Sequence, residues 1–228
     1  MTRHSRVSPL FRLLIAGAVV GVAAPLSGCI ATQIPDSTTI PQTSPPATTE
    51  PAPEPEGETD GLPTTLTFAA GADLPDGAYI EWGDGLAYND AWELTSPDDG
   101  NGNWGYTSTD DACTADFYQG LLGGNVDASS GDDSITSDEM IGVLTGNDPV
   151  QITELGDNGM FSYQAPGSLN VEVRQLFSDA GEETWGVSAR AFAEQGVGLS
   201  VTVQCTGLDA LDVMGDIAEI NPIVITTP

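Results

Sequence analysis

The chain has 228 residues and a formal net charge of −29, set by 34 carboxylates against five arginines. A surface this acidic repels nucleic acid and anionic lipid headgroups, which makes both poor candidates for a binding partner, and we predict no nucleic-acid partner. The charge is unevenly placed, because Arg3, Arg6, Arg12 and the sole histidine, His4, all lie near the N terminus.

An uncharged apolar run of 14 residues, Leu13–Leu26, follows this basic segment. A transmembrane helix needs about 20 apolar residues, so the run is too short to span a bilayer. A basic start, an apolar stretch of this length and small residues at its end are typical of an export signal. We therefore predict a signal peptide over residues 1–28.

The apolar run ends in Leu26-Ser27-Gly28-Cys29, which resembles the bacterial lipobox. The resemblance implies cleavage before Cys29 and attachment of a diacylglycerol to its sulfur. Several acyl chains together hold a protein stably in a membrane. The expected location is the extracytoplasmic face of the cell membrane, with the protein anchored through Cys29. The alternative is an ordinary signal peptide and a secreted, unanchored protein.

Removal of residues 1–28 would leave Arg174 and Arg190 against all 34 carboxylates, a formal charge of −32 without lysine or histidine. Ser-His-Asp, Cys-His and Schiff-base catalysis are then excluded, because each needs an imidazole or an amine. The kinds of functional site that remain possible are catalysis by carboxylates and calcium binding through oxygen ligands. We predict no cofactor.

Residues 29–63 form a Pro/Thr-rich segment after the lipidated cysteine. Its composition lacks the large apolar side chains that a packed core requires. We interpret it as a disordered linker that extends on the order of 100 Å at about 3.1 Å per residue. A recognition tract for a proline-binding domain is the alternative.

Residues 64–228 are predicted to form a single acidic domain. Aromatic and β-branched residues predict strands within 77–95 and 104–121. Thr136 and Glu139 have the spacing of a capping box, which predicts a short helix that ends at Gly146.

The second half of this region has the clearer periodicity. A turn is predicted at 157–159, followed by strands at 160–164 and 169–177. Alternating apolar residues over 185–191 and 199–205 predict an antiparallel sheet with one buried face. Helical spacing over 208–218 predicts a helix on that face, and 222–227 is predicted to be an extended tail or edge strand. The predicted fold class is α+β, an antiparallel sheet with two short helices packed on it.

Cys113 and Cys205 both occupy inward positions of predicted strands. Because an exported chain meets an oxidising compartment, we predict a disulfide between them. It would close a loop of about 90 residues and contribute about 4 to 5 kcal/mol in the chain-entropy model. Two buried, inert thiols are the alternative.

Asp99, Asn101, Asn103 and Asp110 form a weak calcium-site candidate. They depart from the EF-hand pattern, because Trp104 stands where that loop requires glycine and the twelfth residue is Asp110 rather than glutamate. A polar turn without metal is the favoured interpretation.

Arg174 and Arg190 are predicted on the polar, solvated face of a hairpin. The favoured interpretation is cross-strand ion pairing, with Glu172 opposite Arg190. The alternative is a contact site for an anion.

The segment 183–220 resembles exported domains of unknown function in actinobacterial lipoproteins, and more loosely the PsbP-like fold. This resemblance implies a curved antiparallel sheet flanked by helices and assigns no functional residue.

The favoured function is a non-enzymatic, lipid-anchored cell-envelope protein that binds an unknown envelope protein or ligand. The alternative is a carboxylate-dependent hydrolase of wall carbohydrate. Pairs of carboxylates that are adjacent in the sequence give this hydrolase hypothesis little support, because the two catalytic acids of a glycosidase must face each other across a cleft. The four tryptophans, Trp82, Trp92, Trp104 and Trp185, could line a sugar-binding groove. The favoured interpretation is that at least two of them pack in the core. A solute-binding lipoprotein ranks third, because the region is short for two lobes.

Overall fold

The computed structural model describes residues 62–71, 73–165, 167 and 169–228, with the backbone alone at 179 and 180. The predicted signal peptide, Cys29 and the linker up to residue 61 lie outside the described residues.

The described residues form ten strands and four α-helices. The strands are β1 (Thr65–Leu66), β2 (Tyr79–Trp82), β3 (Trp92–Ser96), β4 (Asn103–Ser108), β5 (Cys113–Leu121), β6 (Asp157–Tyr163), β7 (Leu169–Ala180), β8 (Glu183–Phe192), β9 (Val197–Thr206) and β10 (Ile223–Thr226). The helices are α1 (Phe68–Gly71), α2 (Asp133–Thr145), α3 (Pro149–Leu155) and α4 (Ala210–Ile220). The predicted α+β class is confirmed.

Nine of the strands lie side by side in the order β2-β10-β6-β7-β8-β9-β5-β4-β3, and β1 pairs with β7. The predicted purely antiparallel sheet is wrong, because β10 runs parallel to β6 and β1 runs parallel to β7. The predicted terminal edge strand is wrong as well. β10 lies between β2 and β6, and its Ile223 and Ile225 are buried.

The prediction of a single buried sheet face is also wrong, because the central strands are buried on both faces. In the β8–β9 register Ser188 pairs with Val201, so Val187 and Ala189 point away from Val201 and Val203. Helix α4 packs with the residues on the Val201 face through Met214 and Ile217, in the larger core. Helices α2 and α3 cover the other face, in a smaller cluster made of Met140, Ile141, Ile152, Val187, Ala189 and Ala191.

Helix α2 begins three residues before the predicted capping box. Its N-cap is Asp132, whose carboxylate accepts a hydrogen bond from the Ile135 N–H at 2.9 Å. Thr136 therefore lies inside the helix and is buried. The predicted end is correct, because Gly146 takes the left-handed conformation, φ 74°, that closes a helix at little steric cost. Helix α3 had not been predicted.

The predicted disulfide between Cys113 and Cys205 is confirmed, with an S–S distance of 2.09 Å. The two residues are directly paired in the β5–β9 ladder, at a Cα–Cα distance of 4.2 Å. The disulfide therefore fastens the start of β5 to the end of β9.

Candidate functional site

Arg174 and Arg190 do not lie on a solvated face, so their predicted position is wrong. The side chain of Arg174 is 9% exposed and that of Arg190 is fully buried. Glu172 is not the ion-pair partner of either arginine. Both guanidinium groups instead pair with carboxylates of α2.

Arg174 joins the two helices of the smaller cluster to the sheet. Its Nε donates to Asp138 of α2 at 2.6 Å, and its Nη2 donates to the carbonyl of Ile152 in α3 at 3.2 Å. Its Nη1 donates to Asn158 of β6 at 2.6 Å. Every guanidinium nitrogen is thus engaged, and the contacts fix α2 and α3 over the middle of β7, beside the start of β6.

Arg190 fills a gap in the sheet. Strands β7 and β8 pair from Ala180↔Glu183 to Arg174↔Ala189 and then separate, and β1 pairs with the separated half of β7. The Arg190 guanidinium donates to the carbonyls of Glu172 and Thr67, each at 3.0 Å. It therefore supplies hydrogen bonds where the β7–β8 ladder has ended.

Residues of α2 complete the other side of this gap. Asp133 accepts from Arg190 Nη2 at 2.9 Å and from the Ala193 N–H at 2.8 Å. Ser137 Oγ accepts from the Ala191 N–H at 2.8 Å. Gly71 allows this close approach, because a Cβ there would collide with both Asp133 and Arg190.

The electrostatics of this pair are dominated by burial. Desolvation lowers the pKa of Arg190 to about 10, against the opposing attraction of Asp133 and Glu172. Desolvation likewise raises the pKa of Asp133, although the Ala193 N–H and Arg190 both favour its charged form. The rings of Phe68 and Phe192 lie 4.4 and 4.8 Å from the guanidinium carbon and add cation–π contacts.

These contacts leave no exposed cationic side chain among the described residues. An external anion would find neither guanidinium open to solvent, so the structure gives the anion-contact hypothesis no accessible site.

The four calcium candidates are not all brought together, because Asp99, Asn101 and Asn103 share one turn and Asp110 lies apart from them. Asp99 accepts from the N–H groups of Asn101 at 2.7 Å and Asn103 at 3.3 Å, and these bonds lower its pKa. Asp110 lies at the other end of β4, where it accepts from Ser108 Oγ at 2.7 Å. Six strand residues separate the two ends by about 17 Å or more. Among the residues that the structure describes, no cluster of three or more His, Cys, Asp or Glu side chains could hold a metal ion.

A groove of about 650 Å³ lies beside the disulfide. Its floor is formed by neighbouring parts of β5, β9 and β8, and its wall includes Leu144, Thr145 and Asn147 at the end of α2. The volume lies within the range of ordinary ligand pockets. We call this depression the β5–β9–β8 groove.

The floor of the groove carries one aromatic residue and several uncharged polar residues. Thr114 pairs with Gln204, and Gln204 pairs with Trp185, so the three side chains form a row across the strands. Asp116, Thr202 and Val187 form the next row along the strands. The side chains of Thr114, Thr202 and Gln204, and the indole N–H of Trp185, make no hydrogen bond within the described residues.

Two carboxylates stand at one end of the groove. Glu183 pairs with Thr206, whose N–H donates to the carbonyl of Ala112, beside Asp111. The backbones of Glu183 and Asp111 are therefore about 10 Å apart, which is two strand spacings. Asp116 follows Thr114 on the same face of β5, and partial screening from water raises its pKa.

Among the four tryptophans, Trp185 alone lines this groove. Trp82 is in the core, where its ring meets Phe117 and Phe161 edge-on, each at 5.3 Å between centroids. Trp104 stacks on Phe117 at 5.5 Å, and Trp92 packs partly buried against the same core. The expectation that at least two tryptophans serve core packing agrees with this placement.

The sequence alone did not predict this groove. Of its lining residues, only Trp185 was named, as one of four tryptophans that could line a sugar-binding groove. Thr114, Thr202 and Gln204 alternate with apolar residues, a pattern that also describes any solvated sheet face. The available signal was that three alternating segments each carry uncharged polar residues in a chain rich in carboxylates.

No family model matches this sequence, and no curated protein matches it. A solved structure to which it is similar is that of LpqN, described as involved in cell envelope biogenesis of Mycobacterium tuberculosis. The two are 19% identical, the match covers 68% of this chain and 86% of LpqN, and the TM-score is 0.35. A likeness this distant carries no conclusion here. Within the described part of the chain, no helix has the length and apolar character needed to cross a membrane.

Proposed function

We propose that residues 64–228 form a non-enzymatic binding domain that acts in the cell envelope and receives its ligand in the β5–β9–β8 groove. A lipid on Cys29 would hold it at the outer face of the membrane, and residues 29–63 would space it from that surface. The observation that carries the proposal is the row Thr114-Gln204-Trp185. These neighbouring side chains offer unused hydrogen-bonding groups beside an aromatic ring, which is typical of a ligand site.

In-cell photo-crosslinking tests the binding role. Benzoylphenylalanine would replace Gln204, which is exposed on the groove floor, or as a control Asp216, which is exposed on α4. We expect irradiation of intact cells to give a covalent adduct at 204 and none at 216, read as a mass shift of the purified protein. The absence of any adduct at 204, or equal adducts at both positions, would refute the groove as the binding site.

The anchor is tested separately by Cys29→Ala. We expect this variant to be released into the medium or to remain unprocessed, whereas Cys113→Ala/Cys205→Ala, which leaves the lipobox intact, should still partition into detergent. Unchanged detergent partitioning of Cys29→Ala would contradict lipidation.

A carboxylate-dependent hydrolase is the second candidate, because Asp111 and Glu183 line one groove and Asp116 lies beside it with a raised pKa. The two carboxyl groups of inverting glycosidases are about 6.5 to 9.5 Å apart, a separation that side chains on backbones about 10 Å apart can reach. Release of reducing ends from purified cell wall, abolished by Glu183→Gln, would establish this function in place of pure binding. We expect no release above a buffer control.

A further inference from the structure

We infer that the ligand of the β5–β9–β8 groove is a neutral oligosaccharide, whose ring stacks on Trp185 while Gln204 and Thr114 bind its hydroxyl groups. This inference rests on the proposed binding function and adds the chemical class of the ligand. It is carried by the composition of the groove floor, its strand register and the charge around it.

The floor matches the two-sided chemistry of a sugar ring. A pyranose presents a C–H face, which packs on an aromatic ring, and a rim of hydroxyl groups, which both donate and accept hydrogen bonds. The half-buried Trp185 offers an indole ring held in place by the cluster under α2. The amide of Gln204 and the hydroxyl of Thr114 both donate and accept, as a sugar hydroxyl requires.

The register places these groups at the necessary spacing. Because β5, β9 and β8 are adjacent, the row Thr114-Gln204-Trp185 extends over about 10 Å. Thr202 lies two residues along β9 and adds a hydroxyl about 7 Å farther on. The polar groups therefore continue beyond the stacked ring in two directions, which suits an oligosaccharide better than a single sugar.

Charge excludes the acidic alternatives. Residues 62–228 contain 28 carboxylates and two arginines, and both arginines are buried in ion pairs. Phosphorylated, sulfated or uronic-acid ligands would meet a negative surface without an exposed cation among the described residues.

A cationic peptide is the remaining competitor, and the position of the carboxylates argues against it. Asp111 and Glu183 are the charged residues that line the groove, and both lie at one end rather than on the floor. Beneath a bound ligand the floor offers threonine, glutamine, valine and tryptophan. The ring face of Trp185 can attract a cation, but the carboxylate beside the floor is that of Asp116 alone, opposite Thr202. A peptide with several positive charges would therefore find no row of carboxylates along the floor.

The test measures binding to the full chain, purified in a detergent without a sugar headgroup. Maltohexaose, cellohexaose and N-acetylchitohexaose are the neutral probes, a hyaluronan hexasaccharide is the anionic probe and hexalysine is the cationic probe. Saturation-transfer NMR reports contact with each probe, and tryptophan fluorescence gives the affinity. We expect at least one neutral probe to bind, and neither charged probe to bind as tightly.

Variants locate that binding. Trp185→Ala should weaken it about 10-fold to 30-fold, as the loss of an aromatic anchor does. Gln204→Ala, at an exposed position, should weaken it by several-fold. Tyr88→Ala is the matched control, because Tyr88 is an aromatic residue 85% exposed outside the groove, and its removal should leave the affinity unchanged.

The inference is overturned if no neutral probe binds, if hexalysine binds more tightly than all of them, or if Gln204→Ala and Trp185→Ala leave the affinity unchanged. A photo-adduct at position 204 together with any of these results would refute the ligand class while upholding the binding function. The absence of a photo-adduct at position 204 together with no binding of any neutral probe would refute both.

Discussion

Arg190 combines three structural roles that usually fall to different residues. It neutralises the buried Asp133, supplies hydrogen bonds to two carbonyl groups at the gap in the sheet, and packs between two phenylalanine rings. Its Nε lacks a hydrogen-bond partner within the described residues. The residue therefore stabilises the fold through its position in a gap, at the cost of one unsatisfied donor.

Arg190→Met should lower the free energy of unfolding by about 3 to 5 kcal/mol at pH 7, because it leaves Asp133 as a buried charge without its partner. Urea unfolding measures this loss. The double variant Arg190→Met/Asp133→Asn should recover part of it, because asparagine still accepts from the Ala193 N–H and carries no charge. A double variant no more stable than the single one would contradict this explanation.

The destabilisation by Arg190→Met should be smaller near pH 4 than near pH 7. Burial already raises the pKa of Asp133 above its ordinary 3.8, and loss of the arginine removes a group that lowers it. A carboxyl whose pKa is higher in the folded state binds more protons when folded, so stability falls as pH rises from the unfolded pKa to the folded pKa. Urea unfolding of wild type and variant at both pH values provides the comparison, and a pH-independent difference would contradict it.

At the scale of elements, α2 packs on the sheet with a face that is half polar. Asp133, Ser137 and Asp138 are buried, whereas Ile135 and Leu144 are 52% and 48% exposed. The buried polar groups are explained by the sheet beneath them, since each one meets a backbone or guanidinium group of the strands.

Ser137→Ala should cost about 1 to 3 kcal/mol, because it leaves the buried Ala191 N–H without an acceptor. Ser134→Ala is the matched control: Ser134 is on the same helix, is half-buried and makes no hydrogen bond through its side chain within the described residues, so its loss should change stability little. Amide hydrogen exchange should accelerate at Ala191 in the first variant and not in the second. Equal effects of the two substitutions would rule out the proposed bond.

The contrast between β5 and β8 shows what the sequence could predict. The alternation in β5 predicts an inward position for Cys113, and the structure buries it together with Ala115 and Phe117 on the same face. In β8 the same alternation correctly predicts a strand over 185–191, but it cannot tell which face a distant helix will cover. Arg190 is buried because β7 and β8 separate beside it, and the point of separation depends on contacts that are distant in the sequence. The charge of the residue alone therefore predicts, wrongly, that its side chain is exposed to solvent. The groove depends likewise on three strands and the end of α2 meeting.

At the scale of the whole molecule, repulsion among the many carboxylates opposes the compact folded state. Residues 62–228 have a formal charge of 2 − 28 = −26, and their described surface has no exposed cation. Self-repulsion of this kind destabilises the folded state and keeps molecules apart in solution.

Adding NaCl from about 0.05 M to about 0.5 M should therefore raise the melting temperature, because the Debye length falls below about 5 Å over this range and screens the repulsion. Differential scanning calorimetry measures the shift. Sodium perchlorate at equal ionic strength is the control, and below about 0.2 M it should give the same shift if screening is the cause. A melting temperature independent of NaCl would contradict the prediction.

The position of β10 has a consequence for the time course of folding. Strand β2 pairs with β10 alone in the described sheet, although Ile80 and Ile225 lie more than 140 residues apart in the chain. A polypeptide that emerges N terminus first, from a ribosome or through a membrane, must release β10 before β2 can join the sheet. Contacts this distant in sequence slow folding. The aromatic core around Trp82 is thus completed last, by the final strand.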